Sequence, residues 1–280
     1  MKKWKIFVTF FKKLYDDHYI IDKTLDLKNF TFVKVNDEYE IEIDGKLDYD
    51  IFIEHDFRIF DHELQERGYH ENSVLYHLYK NEEYKKYDYI GFIEYDHVLS
   101  KDFCKTIQTK LDETEDDSIF AFNKFNYAQL WDQGILLNPN RPQKQEGNPK
   151  SKWNCVRVIL NDYNKFFGTK YSLEDLQKKD CFPICHAVLM PSKIFEKIMG
   201  FHTFIIDSGR VEPFHSFNWR SNAGLMERYL AVELALEDAK MVESIQLEHR
   251  ECDIKVLNSE WLEMSSFKKF RHYLKDLIHR

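Results

Sequence analysis

The chain reads as an α/β protein with a mostly parallel central sheet. Its apolar runs are short and rich in Ile, Val, Phe and Tyr, they alternate with helix-like stretches, and residues 87–93 are apolar almost throughout. A strand buried on both faces carries that last pattern, because helices cover both sides of a parallel sheet.

Residues 6–11 give the first strand and residues 30–35 the second. Residues 39–43 and 49–53 flank Asp44-Gly45, a turn pair that predicts a small hairpin. Asn72 or Ser73 caps a helix whose Val74, Leu75, Leu78 and Tyr79 share one face. Residues 87–93 form the central strand, and 119–122 form another after the acidic stretch 113–117. Residues 138–152 hold no apolar side chain and three prolines, which reads as a long mobile loop over a site rather than an interdomain linker. Ser172, with Asp175 three residues on, opens a helix by a capping box. Residues 186–190 are a strand, and Pro191-Ser192 begin a short helix that Gly200 ends. Residues 225–236 are a strong helix, and 241–247 a strand leading to His249. From Trp261, the spacing of Leu262, Phe267, Phe270, Tyr273, Leu274, Leu277 and Ile278 predicts an amphipathic helix over 261–280. No internal repeat is visible, and residues 1–280 read as one domain.

This alternation is Rossmann-like, yet GxGxxG is absent after the first strand and GxxxxGK[ST] is absent altogether. Dinucleotide and P-loop readings lose their main support. A formal charge of −8 and a pI near 5.9 exclude a broad nucleic-acid footprint. The five cysteines have no disulfide rhythm. Cys181 and Cys185, followed by His186, lack CxxC spacing and a second pair, so reduced thiols in a reducing compartment are expected rather than zinc. The run 6–11 is closed by Lys12 and Lys13 and is too short to span a bilayer, which points to a cytoplasmic protein without a signal peptide. Lys268, Lys269, Arg271, Lys275 and Arg280 line the polar side of the terminal helix. Such a helix either makes peripheral contact with an anionic membrane or turns its basic face to solvent.

The sharpest chemical feature is the run from Tyr87 to His97, in which the central strand ends in Glu94-Tyr95-Asp96. In extended backbone, residues two apart project to the same side, so the two acids converge. Open α/β sheets bind ligands at the carboxyl ends of their strands. Hard carboxylate oxygens suit Mg²⁺ or Mn²⁺, which neutralise a pyrophosphate. The plain alternative is the solvated start of a loop.

With this strand end, the chain resembles the nucleotide-sugar glycosyltransferases of the GT-A fold, in which a strand ends in Asp-x-Asp. The resemblance covers roughly residues 1–250. It implies that Asp96 binds a Mn²⁺ or Mg²⁺ ion bridging the donor's phosphates, and that Glu94 faces the metal or the donor ribose, with Tyr95 beside them. Gly224-Leu225-Met226-Glu227-Arg228-Tyr229-Leu230 is similar to the Glu-Arg helix late in some bacterial and viral members. That likeness implies a general base at Glu227 in an inverting transfer, with Glu212 and Asp207 as rivals. The structural alternative is a Glu227 satisfied by the helix dipole or by Arg228. His249 stands where many members place a further metal ligand; His215 competes for that role or meets the acceptor. Thr9, Phe10 and Phe11 occupy the place of the nucleotide base, Phe10 or Phe11 being otherwise plain core, and Trp153, Arg210 and Trp219 flank the acceptor side. The segment 68–73, with 84–96, is similar to glycosyltransferases of large algal viruses, which implies a UDP-xylose donor and a fucose-containing N-glycan acceptor. Two other classes stay open: a noncatalytic nucleotide-sugar or glycan-binding protein, and a metal-dependent phosphohydrolase, which needs further clustered Asp and His ligands.

Overall fold

A computed structural model describes residues 2–19, 27–35, 39–100, 102–114, 117–122, 124–125, 155–183, 186–211, 221–237, 239–243 and 247–249. The strands in chain order are β1 (Trp4–Phe10), β2 (Lys13–Tyr15), β3 (Phe30–Lys34), β4 (Glu42–Asp44), β5 (Ile51–Ile53), β6 (Tyr89–Glu94) and β7 (His97–Val98). Then follow β8 (Ile119–Ala121), β9 (Lys124–Phe125), β10 (Phe182–Pro183), β11 (Val188–Pro191), β12 (Met241–Glu243) and β13 (Glu248–His249). The helices are α1 (Asp16–Tyr19), α2 (Glu63–Glu66), α3 (Glu71–Lys80), α4 (Phe103–Glu113), α5 (Cys155–Phe167), α6 (Leu173–Gln177), α7 (Ser192–Asp207) and α8 (Ser221–Leu236).

Seven strands form one sheet in the order β12-β8-β11-β6-β1-β3-β5. The pairs β1–β3, β1–β6, β3–β5 and β8–β12 are parallel, and β11 runs antiparallel between β6 and β8. The protein is therefore α/β with a mostly parallel sheet. Alternation along the strands explains why both faces are covered. Ile6, Val8 and Phe10 of β1 join Tyr89 and Ile93 of β6 and Phe103 of α4 on one face. Phe7, Ile90 and Phe92 turn to the other, against Leu75 and Leu78 of α3 and Phe195 and Ile198 of α7. Between them Gly91 admits no side chain: a Cβ there would stand 2.9 Å from Ile6 Cγ1 and 3.0 Å from the Val188 carbonyl oxygen.

Three local expectations give way. The segments around Asp44-Gly45 make no hairpin; β4 pairs in parallel with β2 and β5 with β3, so each takes a partner from an earlier part of the chain. Gly45, at φ 146°, is pinned instead by Asp16, which accepts from the Lys46 and Leu47 amides and from the Tyr49 hydroxyl. Neither Asn72 nor Ser73 caps α3, which begins at Glu71 behind His70 and carries no side-chain cap. Finally, α7 continues through Gly200 to Asp207, because Phe201, Ile205 and Ile206 bury the turns beyond it. A single interior glycine costs only about 1 kcal/mol against that burial. The capping box is present as expected: Ser172 Oγ accepts from the Asp175 amide and the Asp175 carboxylate accepts from the Ser172 amide. The loop 138–152 and the terminal helix 261–280 lie outside the described residues. Among those described, no helix is long and apolar enough to cross a membrane.

Candidate functional site

The sheet's β1 and β6 run side by side, with β3 beyond β1 and β11 beyond β6, so successive connections depart in opposite directions at this pair. Such a switch point leaves a crevice at the strands' carboxyl ends. Thr9 and Glu94 are register partners at that edge. The turn after Glu94 is fixed by three hydrogen bonds. The Tyr95 amide donates to Thr9 O at 3.1 Å, His18 Nδ1 meets Tyr95 O at 3.0 Å, and His97 Nδ1 meets Glu94 O at 3.2 Å.

Two further side chains converge on Glu94. Glu71 begins α3 and His186 immediately precedes the β11 region, and ligand atoms of Glu71, Glu94 and His186 all lie within 4.8 Å of one another. Around one cation at about 2.1 Å, ligand atoms stand roughly 3–4 Å apart, so a small contraction seats an ion. A cluster of acids alone means little, but His186 adds an independent observation. It is 3% exposed, its Nδ1 makes no hydrogen bond, and that nitrogen faces Glu94 Oε1 at 3.6 Å. Burying a bare imidazole nitrogen against a carboxylate is costly unless something occupies the space between. The residues thus fit a divalent cation.

Electrostatics agree. Burial, then repulsion from Glu94 and Glu227, pushes the Glu71 carboxyl up from 4.5 to about 7, against the pull that His186 exerts when protonated. A carboxylate at a helix N-terminus normally gains from the dipole; here desolvation and like charge win. Backbone strain also collects here. His70 and His186 have φ values of 47° and 50°, in the left-handed region that costs an ordinary residue about 1–3 kcal/mol. The His70 carbonyl is held by Ser73 Oγ at 2.6 Å and Gln65 Nε2 at 3.2 Å, both of which also bond the buried Glu54.

Of the residues expected from the sequence, Glu94 is in the cluster and Asp96 is in the adjoining turn, with its Oδ1 3.5 Å from His97 Nδ1. The backbone of His249 pairs with His97 across the β7–β13 ladder, so the topology brings it to the same turn. Glu227 acts electrostatically on Glu71, and α8 docks there through the bond from the Ala223 amide to Gly68 O at 3.0 Å. Phe11 stands edge-on to Tyr39 and Tyr95 at ring separations of 6.0 and 5.6 Å, an aromatic corner at the end of β1. Thr9 is buried. Phe10 takes the core alternative rather than the base-binding one: at 1% exposure it is packed inside the sheet's apolar layer.

Two other expected residues are engaged elsewhere. Asp207 accepts from Tyr76 Oη at 2.9 Å and Lys80 Nζ at 3.1 Å, and Arg210 grips Asp162 through Nε and Nη2. Trp153, Glu212, His215 and Trp219 lie outside the described residues. The sequence reading missed Glu71 and set His186 aside with the Cys181–Cys185 pair. The signal available for Glu71 was an acid at the start of a helix; His186 offered only a polar residue entering an apolar strand.

Comparison with protein-family models gives no match to this chain, and comparison with curated proteins gives none either.

Proposed function

We propose that the chain is a metal-dependent glycosyltransferase of GT-A type that moves a sugar from a nucleotide-sugar to a glycan hydroxyl. The observation that carries this reading is the convergence of Glu71, Glu94 and His186 at the sheet's switch point, beside the aromatic corner of Phe11, Tyr39 and Tyr95. Glu71, Glu94 and His186 would hold Mn²⁺ or Mg²⁺, with Asp96 and His249 at the rim. The cation supplies positive charge against a diphosphate leaving group. Phe11 and Tyr95, set edge-on to one another, would offer a ring face on which a nucleotide base stacks. Glu227, across from Glu71, takes the proton of the acceptor hydroxyl as that oxygen bonds the anomeric carbon and the bond to the diphosphate breaks. UDP-xylose and a fucose-bearing acceptor are the specific partners this reading starts from.

The same three ligands also favour a second reading, a metal-dependent phosphohydrolase, because they add the clustered donors that chemistry requires. One experiment separates them. A thermal-shift panel of nucleotide-sugars with and without Mn²⁺ should show one donor that raises Tm only with the metal. That donor, given a glycan acceptor, should yield nucleoside diphosphate and an extended glycan. Release of free sugar phosphate without an acceptor would establish the hydrolase. Donor binding with no product under any condition would leave a binding protein.

A further inference from the structure

The Asn72 side chain lies behind the cluster on α3 and is fully buried. Both donors of its amide are in use: Nδ2 donates to Tyr69 O and to Ala223 O, each at 3.2 Å. Those carbonyls fix which amide atom is oxygen, so Oδ1 must accept. Two imidazole nitrogens meet it, His186 Nε2 at 3.0 Å and His202 Nε2 at 3.2 Å, and both therefore donate. A neutral imidazole with its proton on Nε2 has a bare lone pair on Nδ1. In His186 that lone pair faces Glu94.

We infer that Asn72 is a positioning residue which locks His186 in the tautomer and orientation that present Nδ1 as a metal ligand. This rests on the metal centre proposed above but not on sugar transfer. Outer partners of ligating histidines act in this way generally, fixing the ring and the tautomer. The bond shared with His202 keeps the Asn72 oxygen from turning, because His202 is itself buried and faces Glu233 at 3.5 Å on α8. Helices α3, α7 and α8 thus meet in one bond system behind a ligand that stands before β11.

The test uses Mn²⁺ alone, without nucleotide-sugar, with affinity read by calorimetry or electron paramagnetic resonance. Asn72→Ala should weaken Mn²⁺ binding about 10- to 100-fold and change Mg²⁺ binding less, since an imidazole nitrogen matters more to Mn²⁺. In a His186→Ala background, Asn72→Ala should have no further effect on Mn²⁺ affinity. Asn72→Asp keeps an acceptor for both imidazoles while losing the donors to Tyr69 and Ala223; it should be less stable yet retain affinity. If Asn72→Ala and Asn72→Asp lose affinity together, or the Asn72→Ala loss persists without His186, the role is structural and the proposal is overturned. Mn²⁺ binding unchanged in Asn72→Ala overturns it as well. Failure of the wild-type chain to bind Mn²⁺ overturns the centre itself. Should the variants not fold, ¹⁵N spectra of the wild-type histidines decide: an Nε2–H tautomer at His186 supports the assignment and an Nδ1–H tautomer removes it.

Discussion

In the proposed metal centre, a proton on Glu71 competes with the cation for the same oxygen atoms. With its carboxyl pushed up from 4.5 to about 7, the folded state holds a proton that the unfolded chain has already lost over that range. Its contribution to stability is therefore complete below about pH 4.5 and is lost as pH climbs through about 7. In EDTA, the wild-type Tm should fall between about pH 4.5 and 7 relative to Glu71→Gln, and saturating Mn²⁺ should offset that fall because the cation favours the ionised carboxylate. Parallel pH curves for the two proteins in EDTA would refute the raised value. Glu227 offers a separate check. Under the proposed transfer, Glu227→Gln keeps the volume but accepts no proton, so kcat should fall about 10²- to 10⁴-fold while Mn²⁺ affinity stays nearly constant. A variant that turns over normally but melts early would make Glu227 structural, leaving Glu212 to be tried. At this scale Glu94 was readable from sequence, because an apolar strand that stops at a carboxylate is a local pattern; Asp96, expected beside it by strand alternation, falls instead in the turn after β6. Glu71 and His186 were not readable, because each becomes informative only beside a residue far along the chain.

Elements show the same division between local and distant information. The capping box at Ser172 depends on four consecutive residues, and it is present as read. Ser172→Ala should cost about 1 kcal/mol, measured by denaturant unfolding, with no effect on metal binding. The hairpin around Asp44-Gly45 failed for the opposite reason: turn chemistry says where a chain bends but not which strand it will meet. The cap at Asn72 failed because its amide is used inwards, on two carbonyls and two imidazoles. Central strand β6 was recognised from its apolar run, whereas the packing that demands Gly91 was invisible. Gly91→Ala forces a methyl against Val188 O and Ile6, so it should destabilise the chain by about 1–3 kcal/mol. Because Gly91 lies on the strand that carries Glu94, Mn²⁺ affinity should fall as well; an unchanged Tm would show that β11 can move away.

At the scale of the whole molecule, the place of β11 matters beyond the geometry of the site. Strands β5, β3, β1 and β6 all lie within residues 4–94, but among the described residues the other edge of β6 is covered only by residues 188–191. On a ribosome adding about 5–20 residues per second, the apolar β6 edge waits on the order of 10 s for its partner. Through that interval it is an unpaired, hydrophobic template for other nascent chains. Protein yield should therefore respond to chaperone supply and to growth temperature more than the stability of the finished fold would suggest. Stalled nascent chains give the measurement: protease resistance across β6 should appear only once residue 191 has cleared the exit tunnel. Resistance in shorter chains would show that the first four strands and α3 hold together unaided. The proposed metal ligands obey the same schedule, since Glu71 and Glu94 are synthesised long before His186, and the cluster closes at the step that seals the sheet.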